Sequence, residues 1–232
     1  LSFGGIPADG FAFLRELAAE QNKPWFEANK PRYEASLRVP MAALVESAAA
    51  AFAERRIPLE GDGKRSVFRI HRDVRFSANK QPYKTNAGAV WFRPGGKRNG
   101  IGIVYVNVEP DRCFLASGFY LPAPPVLDAL RAAIKARPQA WRKVEADITR
   151  AGFAFDHGDP LARMPRGYEA LADDPVAPAL RRRMHVVRMS LPESALRSAE
   201  SISMIADFAE AMLPLLRFGW RALDEAAKAG GI

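Results

Sequence analysis

Cysteine is nearly absent from this sequence, with Cys113 standing alone among 232 residues. A lone thiol excludes an internal disulfide and fits a reducing, intracellular setting, so a cytoplasmic location is expected. Histidine is almost as scarce, and His71, His157 and His185 fall at no zinc-protease spacing. Asp156, His157 and Asp159 offer ligand-type side chains but no second cluster to complete a coordination sphere, so no metal is expected. Nucleotide-binding fingerprints are missing as well. GGKRNGIG is followed by a strand-like run where a phosphate-binding loop needs a helix, so no cofactor is expected. Ser117 in LASGF lacks the preceding glycine of a nucleophile elbow.

Long apolar runs are wanting too. Ile202–Trp220, the longest apolar-leaning stretch, contains Asp207, Glu210 and Arg217, and no membrane partner is expected. The opening LSFGGIPADGF has no Met and no basic region ahead of an apolar run, so a secretory leader is not expected there. What is present is an ordinary globular composition, 48% hydrophobic and 26% charged, with enough chain for a sizeable core.

The scarcity that points somewhere is local. Residues 1–60 carry 7 Lys/Arg against 8 Asp/Glu, and residues 121–232 carry 16 against 14. Most of the net +8 therefore lies between them. Residues 64–98 hold ten Lys/Arg and a single acid, Asp73. Basic character concentrated in this way is what an anion-binding surface requires.

Periodicity frames that segment. Phe11, Leu14 and Leu17 recur at helical steps behind Asp9, a candidate cap. Asn22-Lys23-Pro24 and Asn29-Lys30-Pro31 both read as helix starts, and Pro40 opens or kinks an Ala-rich helix to about Arg55. From Ser66 the period becomes two: Phe68, Ile70, Val74 and Phe76 alternate with Arg69, His71, Asp73 and Arg75, as in a half-buried strand. Residues 87–93 and 101–109 predict two further strands joined by the PGGKRNG turn, and 112–120 a fourth. The mostly apolar IGIVYVNV predicts a central strand. Helices are expected over 125–136 and 138–150, a loop over 156–175, a short strand over 183–190, and one long helix or a broken pair over 202–228. The fold class expected is α+β, an antiparallel β-meander of about four strands packed against N- and C-terminal helices, in a single domain, 1–232.

Within the basic stretch, alternation places Arg72 on the apolar face, which requires a partner or a β-bulge that re-aims it. Arg69, Arg72, Arg75, Lys80 and Lys84 are candidate ligand-binding residues, with forks for carboxylate or phosphate and point charges beside them. Asp73 is expected to orient the guanidinium groups, since neighbouring cations make it too acidic for a base. Tyr83, between Lys80 and Lys84, is the one catalytic candidate if those cations favour its phenolate; its other reading is a ring packed over the loop. Cys113 shares a face with Leu115 and Phe119 and is expected to be buried and inert.

FRIHRDVRFSANKQPYKT, NKPWFEANKPRYE, SGFYLP, LARMPRGYE and LRRRMHVVRM together resemble domain-of-unknown-function family 2461 (DUF2461) over nearly the whole chain. The sequence departs from that pattern at Asn79, where an Asp is usual, and at Asn86, where a His is usual. The resemblance implies no established activity and no cofactor; it strengthens the location of a site, not its chemistry. Three readings stay open. One is a pocket, enzymatic or not, for a small anionic ligand, with aromatic walls that include Trp25 and Tyr120. Another is a nucleic-acid-binding module that adds Lys97 and Arg98. The third is a structural protein whose cations pair with Glu27, Glu34 and Glu46.

Overall fold

The structure is a computed structural model and describes residues 2–75, 77–96 and 100–230. Helix α1 (Ala8–Ala19) buries Phe11, Leu14 and Leu17 as its spacing predicts. Asp9 does not cap it; the chain enters through Pro7, and Asp9 joins Glu16 in gripping Arg32 of the next helix at 2.7 and 2.6 Å. That guanidinium holds both carboxyls below their usual range. Helix α2 (Lys23–Tyr33) is capped by Asn22, whose Oδ1 accepts the Trp25 N–H at 2.9 Å.

The second helix start predicted at Asn29-Pro31 does not exist. Asn29 donates to the Trp25 carbonyl, and the helix runs through Pro31 into a π-helical turn at Glu34–Arg38 and on into α3 (Val39–Glu54). Pro40 has no N–H for the Ser36 carbonyl, and the ladder widens just ahead of it, where Val39 N–H reaches back to Glu34. The same carbonyl faces Gly10, where a β-carbon would lie 2.4 Å from it, so glycine lets α1 approach closely. Lys23–Glu54 is long and apolar enough to cross a membrane by length and composition, a longer candidate than Ile202–Trp220. Here its Leu37, Met41, Leu44, Val45, Ala48 and Phe52 are fully used as core.

Strands β1 (Ala87–Trp91), β2 (Ile103–Val108), β3 (Cys113–Phe119) and β4 (His185–Leu191) form one antiparallel sheet in the order β1-β2-β3-β4. The fold is α+β, as expected. Ala87 pairs with Val108, Ala89 with Val106 and Trp91 with Val104, which puts all six on one face. Trp91 anchors that face to α3, donating its indole N–H to the Val45 carbonyl at 3.1 Å with its ring edge-on to Phe52. Gly88, Val90, Tyr105 and Asn107 share the opposite face. The strand predicted at 183–190 is β4. The first predicted strand does not form over its described residues, 66–75; among them are two single bridges, Val67 to Ala89 and His71 to Tyr83. The turn carrying Lys97 and Arg98 lies outside the described residues.

Helices α4 (Pro124–Ala136) and α5 (Pro138–Arg150) follow β3. A loop with a short 3-10 turn leads to α6 (Ala177–Arg181), and α7 (Glu193–Leu196) and α8 (Ser201–Lys228) close the chain. α8 is one helix through Pro214, not a broken pair. The chain divides into two compact units, Leu1–Arg98 with Val104–Leu115 and Met189–Phe208, and Asn99–Ile103 with Ala116–Arg188 and Ala209–Ile232. The first is built on Phe11, Phe13, Phe26, Phe52 and Trp91; the second on Phe119, Trp141, Ile148, Leu180 and Leu216. In the second, Phe119 fills the space a side chain at Gly219 would need, and Trp220 donates its indole N–H to the Gly102 carbonyl at 2.8 Å.

Candidate functional site

The basic segment leaves the free edge of β1 and folds back on itself. Phe68 N–H donates to Gly88 O at 2.9 Å and Val90 N–H to Ser66 O at 3.2 Å, which ties its first residues to β1. The pairing then switches. Lys84 N–H donates to Ile70 O and Arg72 N–H to Pro82 O, both at 2.8 Å, so residues 70–72 pair with 82–84 and the described residues between them, 73–75 and 77–81, form the tip of an arm. The root of the arm is apolar. Ile70 and Tyr83 are buried, Tyr83 stacks on Phe26 with ring centres 4.3 Å apart, and His71 sits edge-on to Phe26. Tyr83 also donates its backbone N–H to Gln21 Oε1 at 3.2 Å.

Alternation holds locally even without a strand: Arg69, His71, Asp73 and Arg75 are exposed and Ile70 is buried. The difficulty posed by Arg72 disappears because the chain leaves the sheet before reaching it. Arg72 is half-buried, and neither it nor Arg69 makes a side-chain hydrogen bond or ion pair among the described residues. Asp73 grips Arg75 through Nε at 3.0 Å and Nη2 at 2.7 Å and accepts its backbone N–H, which holds the carboxyl below the usual aspartate range. Lys80 donates to the Val74 carbonyl at 3.0 Å across the tip, and Asn79 closes an Asx turn by accepting the Gln81 N–H at 2.9 Å. Lys84 places its ammonium 5.5 Å from the Phe68 ring centre.

Tyr83 does not have the environment expected of it. Burial, reinforced by the charge of Glu27, raises its phenol, so the phenolate is disfavoured; its ring is a packing element. Trp25 packs on Phe13 with ring centres 5.5 Å apart, and Tyr120 is an exposed residue of the second unit. Of the glutamates put forward as partners, Glu34 is taken by Arg38, and Arg69 and Arg72 reach none of the three among the described residues. Cys113 is buried, donates weakly to the Glu109 carbonyl at 3.2 Å, and has its thiol pushed up by burial. Asp156 pairs with Arg188 at 3.3 Å and Asp159 faces Arg183 at 3.9 Å.

One cluster escaped the sequence reading. On the face of the sheet away from α3, Asn86 Nδ2 donates to Asn107 Oδ1 at 2.7 Å, and the Tyr105 hydroxyl donates to the same oxygen at 3.0 Å. Asn107 in turn donates to the Arg112 carbonyl at 3.0 Å. Gly88 makes room, since a β-carbon there would lie 2.6 Å from the Tyr105 hydroxyl. Burial, with the charge of Glu109 added, pushes Tyr105 up to about 12. Phe68 and Phe114 flank its ring at 6.2 and 5.8 Å. The signal was there: Tyr105 and Asn107 stand two apart in an otherwise apolar strand, and that spacing puts both on one face.

Fold and arm together define an α+β protein with a cationic arm on the free edge of an antiparallel sheet. The chain belongs to the DUF2461 family of conserved hypothetical proteins, whose model matches residues 9–218. No curated protein matches it.

Proposed function

We propose that the arm binds a phosphate polyanion, with nucleic acid as the class of partner, through Arg69, Arg72, Arg75, Lys80 and Lys84. The observation that carries this reading is the exposure of Arg69, Arg75 and Lys80 along one segment whose only acid, Asp73, is already engaged by Arg75. An exposed ion pair is screened by salt and contributes little alone, so a single small anion gains little here. A polymer that engages several cations at once releases several counterions, and the contributions accumulate. The arm's root, clamped by Tyr83 on Phe26, holds the cations on one support. Binding of this kind tracks a backbone rather than a base sequence. The lone, buried Cys113 supports a cytoplasmic setting.

A second reading has its own observation. Lys84 over Phe68, beside the Asn86–Tyr105–Asn107 network, supports a small phosphate- or carboxylate-bearing ligand at the arm's root. The two readings separate by experiment. Fluorescence anisotropy with labelled single- and double-stranded oligonucleotides compares the wild type with Arg69→Ala/Arg72→Ala/Lys80→Ala. A charge-matched control, Arg163→Ala/Arg166→Ala/Lys228→Ala, removes exposed cations elsewhere. Loss confined to the arm variant supports the polyanion reading. Equal loss in both variants reduces it to net charge, and no binding at about 50 mM salt leaves the small-ligand reading.

A further inference from the structure

The second unit contains a cleft of about 470 Å³ that none of these residues line. Its walls are α5, the segment 154–161 and α6, and its size lies within the roughly 300–1,000 Å³ of ligand pockets. Ile148, Phe155, Leu161 and Pro178 supply an apolar lining. Most charges around it are already matched. Arg182 bonds Glu145 at 2.9 Å and lies over the Phe155 ring at 4.5 Å, and the Asp156 carboxylate faces Arg188 at 3.3 Å. Arg181 is the exception. It lines the cleft half-buried, makes no ion pair or side-chain hydrogen bond among the described residues, and its Nε is shut off from solvent with no acceptor.

With Nε closed off, an entering anion meets the terminal Nη groups, which are open to solvent and have no hydrogen-bond partner among the described residues. A planar guanidinium takes a carboxylate through two parallel N–H···O bonds, and partial burial strengthens that attraction relative to an exposed cation. The remaining walls, Ile148, Leu161, Pro178 and the part of Phe155 that Arg182 does not cover, accept an apolar body. His157, exposed at the rim, adds a second polar group. We propose that this cleft is a binding site for a small organic carboxylate, with the anion on Arg181 and an apolar, ring-sized body against Ile148, Phe155, Leu161 and Pro178. The site does not depend on the arm, and its ligand is of a different kind.

The test uses the full chain and three probes: benzoate, its neutral isostere benzamide, and inorganic phosphate. Backbone amide chemical shifts are followed during titration. Saturable benzoate shifts are expected at residues 145–161 and 178–182, with benzamide at least about tenfold weaker, because it lacks the charge that strengthens the bond to Arg181. Arg181→Ala is expected to lose benzoate by a similar factor. Thr149→Trp, which fills the cleft from an exposed position on α5 and leaves Arg181 in place, is expected to block binding too. Arg69→Ala/Arg72→Ala/Lys80→Ala is expected to bind benzoate as the wild type does. No saturable benzoate shift, equal binding by Arg181→Ala, or tighter binding of phosphate than of benzoate would each overturn the proposal.

Discussion

The arm and the α5–α6 cleft each hold arginine that no carboxylate pairs among the described residues, Arg69 and Arg72 in one and Arg181 in the other, yet burial makes them different instruments. On the arm, Arg69, Arg75 and Lys80 stand in water, where salt screens each of them and only number and spacing can hold a partner. In the cleft, one half-buried guanidinium without an ion pair among the described residues is placed among apolar walls, where a single anion suffices. The same residue type thus selects for a polymer in one place and for a small acid in the other. Counting charges along the chain finds the first and is blind to the second.

The comparison can be broken most forcefully at the arm's root. Phe26→Ala removes the ring on which Tyr83 stacks and against which His71 packs, and a loss of about 3–5 kcal/mol of stability is expected by urea denaturation. Polyanion binding should fall with it, because the cations lose their common support. A variant with unchanged stability would show that the arm is not anchored there.

A smaller effect is expected on the side of the cleft. His185 is fully buried beside Trp141, donates its Nε2–H to the Ala179 carbonyl at 3.2 Å, and is pushed down to about 3 by burial, with the charge of Arg182 adding to it. Its folded pKa lies below its unfolded value of about 6.5, so the unfolded state binds the extra proton between those values. Stability is therefore full above about pH 6.5 and declines as pH falls toward 3. His185→Gln should flatten the decline, by on the order of 2 kcal/mol at pH 5 relative to pH 7. A wild-type profile that the substitution leaves unaltered would contradict the assignment. The smallest effect belongs to Tyr83→Phe. The stack on Phe26 survives and only a hydroxyl is lost, so stability should change by no more than about 0.5 kcal/mol and oligonucleotide affinity not at all. A large loss of either would return the hydroxyl to a functional role.

Much of this architecture was legible. The periods of 113–119, 124–136, 138–150 and 185–191 predicted their elements to within a residue or two, because each is amphipathic or buried along its whole length. Of the readings that failed, two concern the backbone. Pro31 looked like a helix start, but the helix carries it through at the loss of the one hydrogen bond that its missing N–H would have made, and nothing local announces that continuation. Residues 66–76 alternate like a strand because Ile70 is buried and its neighbours are not. Alternation cannot say whether the pairing partner is a sheet or the segment's own return at 82–84. The basic stretch was therefore given the wrong backbone. Arg181 was not legible at all: within LRRRMH it is one arginine of three, and only packing separates it from Arg182, which Glu145 holds, and Arg183, which is exposed.

The most direct test of the arm's assignment is the slope of log affinity against log salt for a labelled oligonucleotide, measured between about 50 and about 200 mM. Four phosphate contacts should cost roughly fifty-fold in affinity over that range for a single strand and roughly 150-fold for a duplex. Arg69→Ala/Arg72→Ala/Lys80→Ala should flatten the slope by about two to three units, while the charge-matched control should leave it nearly unchanged. A slope that is flat in the wild type, or equally steep in the arm variant, would contradict the account.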